Sequence, residues 1–312
     1  MSARIVLTLP ALPAAAQTLL ARHELHFADP REAAPGQLAD FVRARDPHAL
    51  FVRFGRIDAQ VLEAAPSLRV IARHGSGLDT IDLECARARG IAVSATPGAN
   101  AVAVAEHALA LLLACAKGVA RLDARMHAGH WDKAAHQGMQ LASRTLGIIG
   151  LGPVGLRMAR LAGAIGMRVI AATRTPRAVP RHVRLVALDD LWPACDAISL
   201  HCALNAATQG IVNAGMLARC RHGVLLVNTG RGGLIDDAAL VAALRSGQVC
   251  AAGLDTFTRE PAGPDNPYAG LANAVLTPHV GAATPQAFES AAVQAARQLL
   301  AGLRVTGKKT AL

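Results

Sequence analysis

Thr145-Leu146-Gly147-Ile148-Ile149-Gly150-Leu151-Gly152-Pro153-Val154-Gly155 is a short apolar run that breaks into glycines spaced G-x-G-x-x-G and then resumes as a helical pattern. In a strand-turn-helix unit of this kind the first glycine lets the chain turn sharply off the strand. The second lets backbone approach a pyrophosphate, and the third lets the new helix pack against the sheet. The start of that helix offers free N–H groups and the positive end of its dipole to phosphate. Gly150, Gly152, Pro153, Val154 and Gly155 are therefore candidate contacts of a dinucleotide. Taken alone, the motif also fits a glycine-rich turn built for packing, so its meaning depends on its surroundings.

The surroundings are those of an α/β protein. Downstream, apolar runs at 168–172, 184–186, 197–200, 224–227, 251–254 and 274–276 read as strands separated by helical stretches, which suits a doubly wound nucleotide-binding sheet. Upstream, runs at 4–9, 24–28, 49–53, 68–72 and 91–93 alternate with helical patterns and form a first α/β lobe. After Thr96-Pro97-Gly98 a long helix is expected from Ala101 to about Arg121, apolar on more than one face, as a bridge between lobes or subunits. Asp236 reads as the N-cap of a helix ending at Gly247, and Thr284-Pro285 opens a last helix reaching about Gly302.

With 312 residues, 52% of them hydrophobic, the chain can bury a large core, and its length suggests about two domains. Only 3% of residues are aromatic, so that core is built from Ala, Leu, Val and Ile. The balance of 32 Lys and Arg against 22 Asp and Glu gives +10. The basic residues are scattered, without interleaved aromatics, which argues against nucleic acid and for anionic substrates and solvated surface. Cys85, Cys115, Cys195, Cys202, Cys220 and Cys250 show no C-x-x-C pair or metal-ligand spacing; they read as reduced, mostly buried thiols of a cytoplasmic protein, with no metal site. Pro10 and Pro13 interrupt the apolar start, and the run 101–116 carries Glu106 and His107 and is short for a bilayer, so no membrane segment is expected.

Three segments of the second lobe place polar residues after strands, where open α/β sheets hold their ligands. They are Val227-Asn228-Thr229-Gly230-Arg231-Gly232-Gly233, Leu254-Asp255-Thr256-Phe257-Thr258-Arg259-Glu260-Pro261 and Leu276-Thr277-Pro278-His279-Val280-Gly281. An arginine between glycines can present its planar fork to a carboxylate, although it can equally be a surface arginine in a turn. His279 can give or take a proton near neutrality, and Glu260 can raise its pKa and fix its tautomer if the two meet, which spacing alone cannot establish. Imidazole, carboxylate and guanidinium converging beside a nicotinamide make a site for hydride transfer to a 2-keto acid.

With Gly75-Ser76-Gly77-Leu78-Asp79-Thr80-Ile81-Asp82 and Val104-Ala105-Glu106-His107 added to these segments, nearly the whole chain resembles the D-isomer-specific 2-hydroxyacid dehydrogenases, the family of glyoxylate/hydroxypyruvate reductases and D-3-phosphoglycerate dehydrogenase. The resemblance implies two Rossmann-like or flavodoxin-like lobes with parallel sheets and a cleft between them, closing about hinges near residues 97 and 284. It implies a substrate-binding domain at 1–98 plus 285–312 and a dinucleotide-binding domain at 99–284. Arg231, Glu260 and His279 become the catalytic set. Arg53 and Phe54 help choose the substrate side chain, and backbone near Ser76 and Gly77 holds its carboxylate, with Arg231 and His279 also touching substrate. Thr229 and Asp255 fall near the nicotinamide carboxamide, and Cys202, Thr208, His279 and Gly281 complete the implied cofactor contacts. An oxidoreductase of small 2-keto or D-2-hydroxy acids, of glyoxylate/hydroxypyruvate type and homodimeric, is the expectation.

Two positions depart from the family pattern. Where NAD-type members carry an acidic residue after the second strand, this chain has Thr173, about twenty residues past the glycines, followed by Arg174, Thr175 and Arg177. A carboxylate there repels a 2′-phosphate, whereas these residues can bind one, so NADP(H) is expected in preference to NAD(H), with use of both as the alternative. Ala203 stands where proline is frequent. Alternative functions on the scaffold are an NAD-dependent D-3-phosphoglycerate dehydrogenase, for which Arg53, Arg56 and Arg73 leave room, phosphonate or formate oxidation, and a dinucleotide-sensing corepressor. A corepressor would carry extra tails, and the chain ends Gly307-Lys308-Lys309-Thr310-Ala311-Leu312.

Overall fold

Two units make up the computed structural model, which describes residues 2–28, 35–175 and 178–307: Met1–Asn100 with Thr284–Leu312, and Ala101–Ala283. The first unit runs β1 (Arg4–Leu7), α1 (Ala14–Leu20), β2 (Glu24–Phe27), α2 (Pro35–Arg45), β3 (Ala49–Val52), α3 (Ala59–Glu63), β4 (Val70–Arg73), α4 (Leu83–Ala88) and β5 (Ala92–Ser94). The second continues with α5 (Ala101–Lys117), α6 (Val119–His127), β6 (Thr145–Ile149), α7 (Pro153–Ala164), β7 (Arg168–Ala172), β8 (Val183–Leu185), α8 (Leu188–Ala194), β9 (Ala197–Leu200) and α9 (Ala214–Arg219). Then follow β10 (Val224–Asn228), a 3-10 turn (Gly232–Leu234), α10 (Asp237–Ser246), β11 (Val249–Leu254) and β12 (Ala274–Leu276), before α11 (Pro285–Gly307) returns to the first unit.

Both sheets are parallel, in the orders β2-β1-β3-β4-β5 and β12-β11-β10-β9-β6-β7-β8. Parallel sheets bury both faces, and the strand period of two sorts the side chains accordingly. In the first unit Val6, Leu50, Val52 and Ile71 join one core with Leu38, Val42, Val61 and Leu62. Their neighbours Ile5, Leu7, Phe51, Val70 and Ala72 join the other, with Leu20, Ala292, Ala295 and Leu299. The strand order reverses between β1 and β3 in one sheet and between β6 and β9 in the other, and such switch points are where open sheets take ligands.

Helix ends follow local chemistry. Asp236 accepts from the Ala239 amide at 3.1 Å as the cap of α10, Gly247 ends that helix at φ 78°, and the Thr284 hydroxyl accepts from Ala287 N at 3.1 Å before α11. The long helix expected to Arg121 is instead two. Gly118, at φ 62°, stops α5, and α6 departs at 64° to it, because a left-handed residue cannot continue a right-handed helix. The helix expected as a bridge belongs to the second unit, where it packs on α7, β10 and β11. The last helix extends to Gly307, past the expected Gly302, where no helix-breaking proline intervenes. Among the described residues no single helix is long and apolar enough to cross a membrane.

Candidate active site

The turn after β6 divides its glycines by task. Gly150 sits at φ 96°, and a Cβ there would lie 2.5 Å from the Cys202 amide nitrogen, so β6 and β9 approach each other at the switch point only because this residue has no side chain. A Cβ on Gly155 would press on the Gly150 carbonyl oxygen. Gly152, the N-cap of α7 with Pro153 behind it, has nothing within 4 Å of where its Cβ would stand. A tight turn, a close helix and an open space before helical amides fit a dinucleotide's pyrophosphate. The hydroxyl of buried Thr229, which has no hydrogen-bond partner among the described residues, fits a polar ligand group as well.

Thr173 follows β7 partly buried, with Arg174 and Thr175 exposed beside it; Arg177 lies outside the described residues, as do residues 308–312. The Thr208 hydroxyl accepts from Asn205 N at 2.9 Å and donates to Ala203 O at 2.7 Å, closing the loop that follows Cys202. Expected burial of the cysteines holds for Cys115, Cys195 and Cys220; Cys85 and Cys202 are half-buried and Cys250, the second residue of β11, is exposed.

The loops after β10, β11 and β12 bring Arg231, Glu260 and His279 together. His279 Nδ1 lies 2.7 Å from Glu260 Oε2, and Glu260 Oε1 accepts from Phe257 N at 2.9 Å. The imidazole side chain is 45% exposed. The Glu260 hydrogen bond raises the His279 pKa above its ordinary 6.5; burial and the Arg231 charge oppose it, and the charges of Glu260 and Asp255 reinforce it. For Glu260, burial is the largest influence and opposes ionisation, but the bonds from His279 and Phe257 and the charges of His279 and Arg231 prevail and hold the carboxyl below its usual range. Arg231 donates to Gly230 O at 2.8 Å, which bends its side chain back over the turn.

Asn228 and Gly232, which the sequence reading did not single out, hold these loops together with Asp255, which it had placed near the nicotinamide carboxamide. Asn228, fully buried, donates from Nδ2 to Arg231 O at 2.9 Å and accepts from Gly230 N at 2.9 Å, so one amide defines the arginine turn. Gly232 is where that turn meets the Glu260 loop: a Cβ would fall on the Phe257 carbonyl carbon and the Thr258 nitrogen. Asp255, 2% exposed, accepts from Thr277 Oγ1 at 2.6 Å, Val280 N at 2.9 Å and Gly281 N at 2.8 Å. Its carboxylate thus binds the loop of His279, which adopts φ 53°, unusual for a non-glycine residue. An Asn at the end of a buried strand was the one available signal for the first of these; nothing local marks Gly232, and the bonds from Asp255 to the His279 loop are not legible from its spacing.

Arg53, Phe54, Ser76 and Gly77 lie in the first unit, after β3 and β4. Thr8, buried after β1, donates to Phe54 O at 2.8 Å and accepts from Arg53 N at 2.9 Å, so the switch point orders the 53–54 loop. Arg53 Nη1 donates to His74 Nδ1 at 3.0 Å, and its guanidinium stands 5.0 Å from the Phe54 ring centroid and 4.7 Å from that of Phe288. His74 Nε2 in turn donates to Phe288 O at 3.0 Å. An arginine only donates and a carbonyl only accepts, so His74 is the neutral Nε2–H tautomer. Burial first, and the Arg53 charge next, lower its pKa to about 4. Arg73 bonds Arg53 O and Gly77 O, tying the two loops together.

The family description "D-isomer specific 2-hydroxyacid dehydrogenase, NAD binding domain" matches residues 109–281. A hydroxypyruvate reductase of Thermotoga maritima is 40% identical over 252 residues, 80% of this chain and 82% of that protein. A D-3-phosphoglycerate dehydrogenase of Archaeoglobus fulgidus is 40% identical over 74% of this chain but only 45% of its own length, so the chain spans about half of such relatives. A crystal structure of a glyoxylate reductase from Paecilomyes thermophila superposes with TM-score 0.86 at 30% identity, covering 96% of this chain and 94% of that one. With its motifs in order, its two parallel sheets and these relatives, the chain belongs to the D-isomer specific 2-hydroxyacid dehydrogenase family.

Proposed function

We propose that the protein reduces a small 2-keto acid of the glyoxylate or hydroxypyruvate type to the D-2-hydroxy acid, with NADP(H) preferred over NAD(H). The pairing of His279 with Glu260 at 2.7 Å carries the reading. NADPH, when bound, supplies the hydride. His279, held protonated by Glu260, gives its proton to the carbonyl oxygen of the substrate. Arg231 binds the substrate carboxylate and steadies the negative charge that develops on that oxygen. Glu260 keeps the imidazolium charged and aimed until transfer. Gly150, Gly152 and Gly155 with the amides of α7 would hold the pyrophosphate, Thr229 the carboxamide end, and Thr173, Arg174 and Thr175 the 2′-phosphate. In the first unit Arg53, Phe54, Ser76 and Gly77 are the substrate-binding residues. Exposed Val119, Met126 and Trp131 support self-association as a homodimer, which light scattering would report.

The test is a panel of 2-keto acids read by NADPH absorbance. Turnover of glyoxylate or hydroxypyruvate is expected, with higher kcat/KM for NADPH than NADH; cofactor binding without turnover on the whole panel would point to a dinucleotide-sensing role instead. Thr173→Asp should lower kcat/KM with NADPH by roughly 10- to 100-fold, as a charge-assisted phosphate contact worth about 1.5–3 kcal/mol gives way to repulsion, while NADH improves. An unchanged cofactor ratio would refute this assignment. D-3-phosphoglycerate oxidation is the second reading. Arg53 favours it, since among the described residues no carboxylate lies within ion-pair distance of its half-buried guanidinium, which leaves it open to a phosphate.

A further inference from the structure

A histidine on α5 that none of these roles uses stands at the back of the His279 loop. His107 Nε2 is 2.9 Å from Thr277 Oγ1 and 3.3 Å from Asp255 Oδ1. Thr277 has one hydroxyl proton, and its 2.6 Å bond to Asp255 Oδ1 uses it. The hydroxyl oxygen therefore accepts from His107, and Nε2 carries the proton. The Asp255 carboxylate goes on to accept from the Val280 and Gly281 amides, the two that follow His279. The fit is close as well as polar: a Cβ on Gly281 would lie 2.9 Å from Asp255 Oδ2 and 3.4 Å from His107 Cδ2.

We propose that His107 is a positioning residue for His279, acting through Thr277 and Asp255 to fix the 277–281 loop. The inference rests on the proton-donor role proposed above for His279. A residue at φ 53° sits in a backbone region that costs non-glycine residues free energy, so the surrounding bonds must hold it there. Asp255 supplies two of those bonds, and His107 with Thr277 determines which way the carboxylate faces. The ring that results is aimed at Glu260, with Arg231 and Asp255 as the other charged groups around it. The three residues come from α5, the end of β11 and the loop after β12, so the network joins the long helix to two of the catalytic loops.

The decisive variants are His107→Phe, which keeps an aromatic ring but loses the donor, and His107→Gln, which restores an N–H of similar reach. In His107→Phe we expect kcat for keto-acid reduction to fall roughly 10- to 100-fold with KM changed little, as for other losses of an orienting hydrogen bond. The alkaline fall of kcat should move to lower pH, because His279 is less well paired with Glu260. His107→Gln should recover most of both. Hydrogen exchange of the full-length protein without substrate supplies a second readout: the Val280 and Gly281 amides exchange faster in His107→Phe and not in His107→Gln. If the wild-type protein turns over no keto acid, the functional reading fails and the exchange arm alone decides the positioning role. Wild-type kcat, pH profile and exchange in His107→Phe would overturn the proposal. So would equal losses in both variants with faster exchange throughout the second unit, which marks a packing role.

Discussion

Exchange of His279 for asparagine should lower keto-acid reduction by about 10²- to 10⁴-fold while changing the dissociation constant for NADPH far less, as expected when a general acid is lost. Asparagine suits this position because it tolerates left-handed backbone, so φ 53° is kept, whereas alanine would add strain to the loss of the proton donor. Stopped-flow absorbance for the rate and fluorescence titration for the cofactor separate the two effects. A rate within a few-fold of wild type would remove His279 as proton donor. Glu260→Gln completes the argument. In the proposed mechanism reduction needs protonated His279, so its rate is full below the His279 pKa and falls as pH rises through it. Glu260 raises that pKa above 6.5, and removing its charge and strong hydrogen bond must shift the fall to lower pH.

Gly232→Ala should damage both stability and turnover, through backbone contact and without touching a titratable group. The Cβ would land on the Phe257 carbonyl carbon and Thr258 nitrogen, neither of which can turn aside as a flexible side chain would. The turn bearing Arg231 and the loop bearing Glu260 have to separate. Overpacking of this kind costs about 1–3 kcal/mol, or a melting temperature lower by roughly 2–4 °C for each kcal/mol in a unit of this size. Because both loops carry residues of the proposed catalytic set, a displacement near 1 Å is expected to lower kcat by about 10²-fold. Calorimetry and steady-state rates measure the two together. Gly233→Ala, whose Cβ meets the movable Leu204 side chain at 3.1 Å, should be much milder. Equal effects at 232 and 233 would contradict the argument.

What could be read along the chain was whatever depends on near neighbours. Apolar runs marked strands at 168–172, 197–200 and 274–276 with their observed limits, because short, mostly apolar runs bounded by polar or turn residues stand out from their surroundings. The glycine turn, the Asp236 and Thr284 caps and the candidate trio of Arg231, Glu260 and His279 were equally legible from local chemistry. Gly118 was missed as a helix break, since a lone glycine inside an apolar helical pattern is often tolerated; only its left-handed backbone ended α5.

Sequence by itself determined the α/β class, the order of the strands along the chain, the phosphate-type turn and the residue types able to handle a proton and a carboxylate. Tertiary structure decided which of them meet. Glu260 and His279 are nineteen residues apart and come within 2.7 Å because β11 and β12 are neighbours in register, and their ends therefore open side by side. Asn228 over the arginine turn, Gly232 between two loops, and His107 reaching Thr277 from a helix 170 residues earlier follow from the same packing. Periodicity and turn chemistry act over a few residues, whereas such contacts are made only when a whole parallel sheet has assembled.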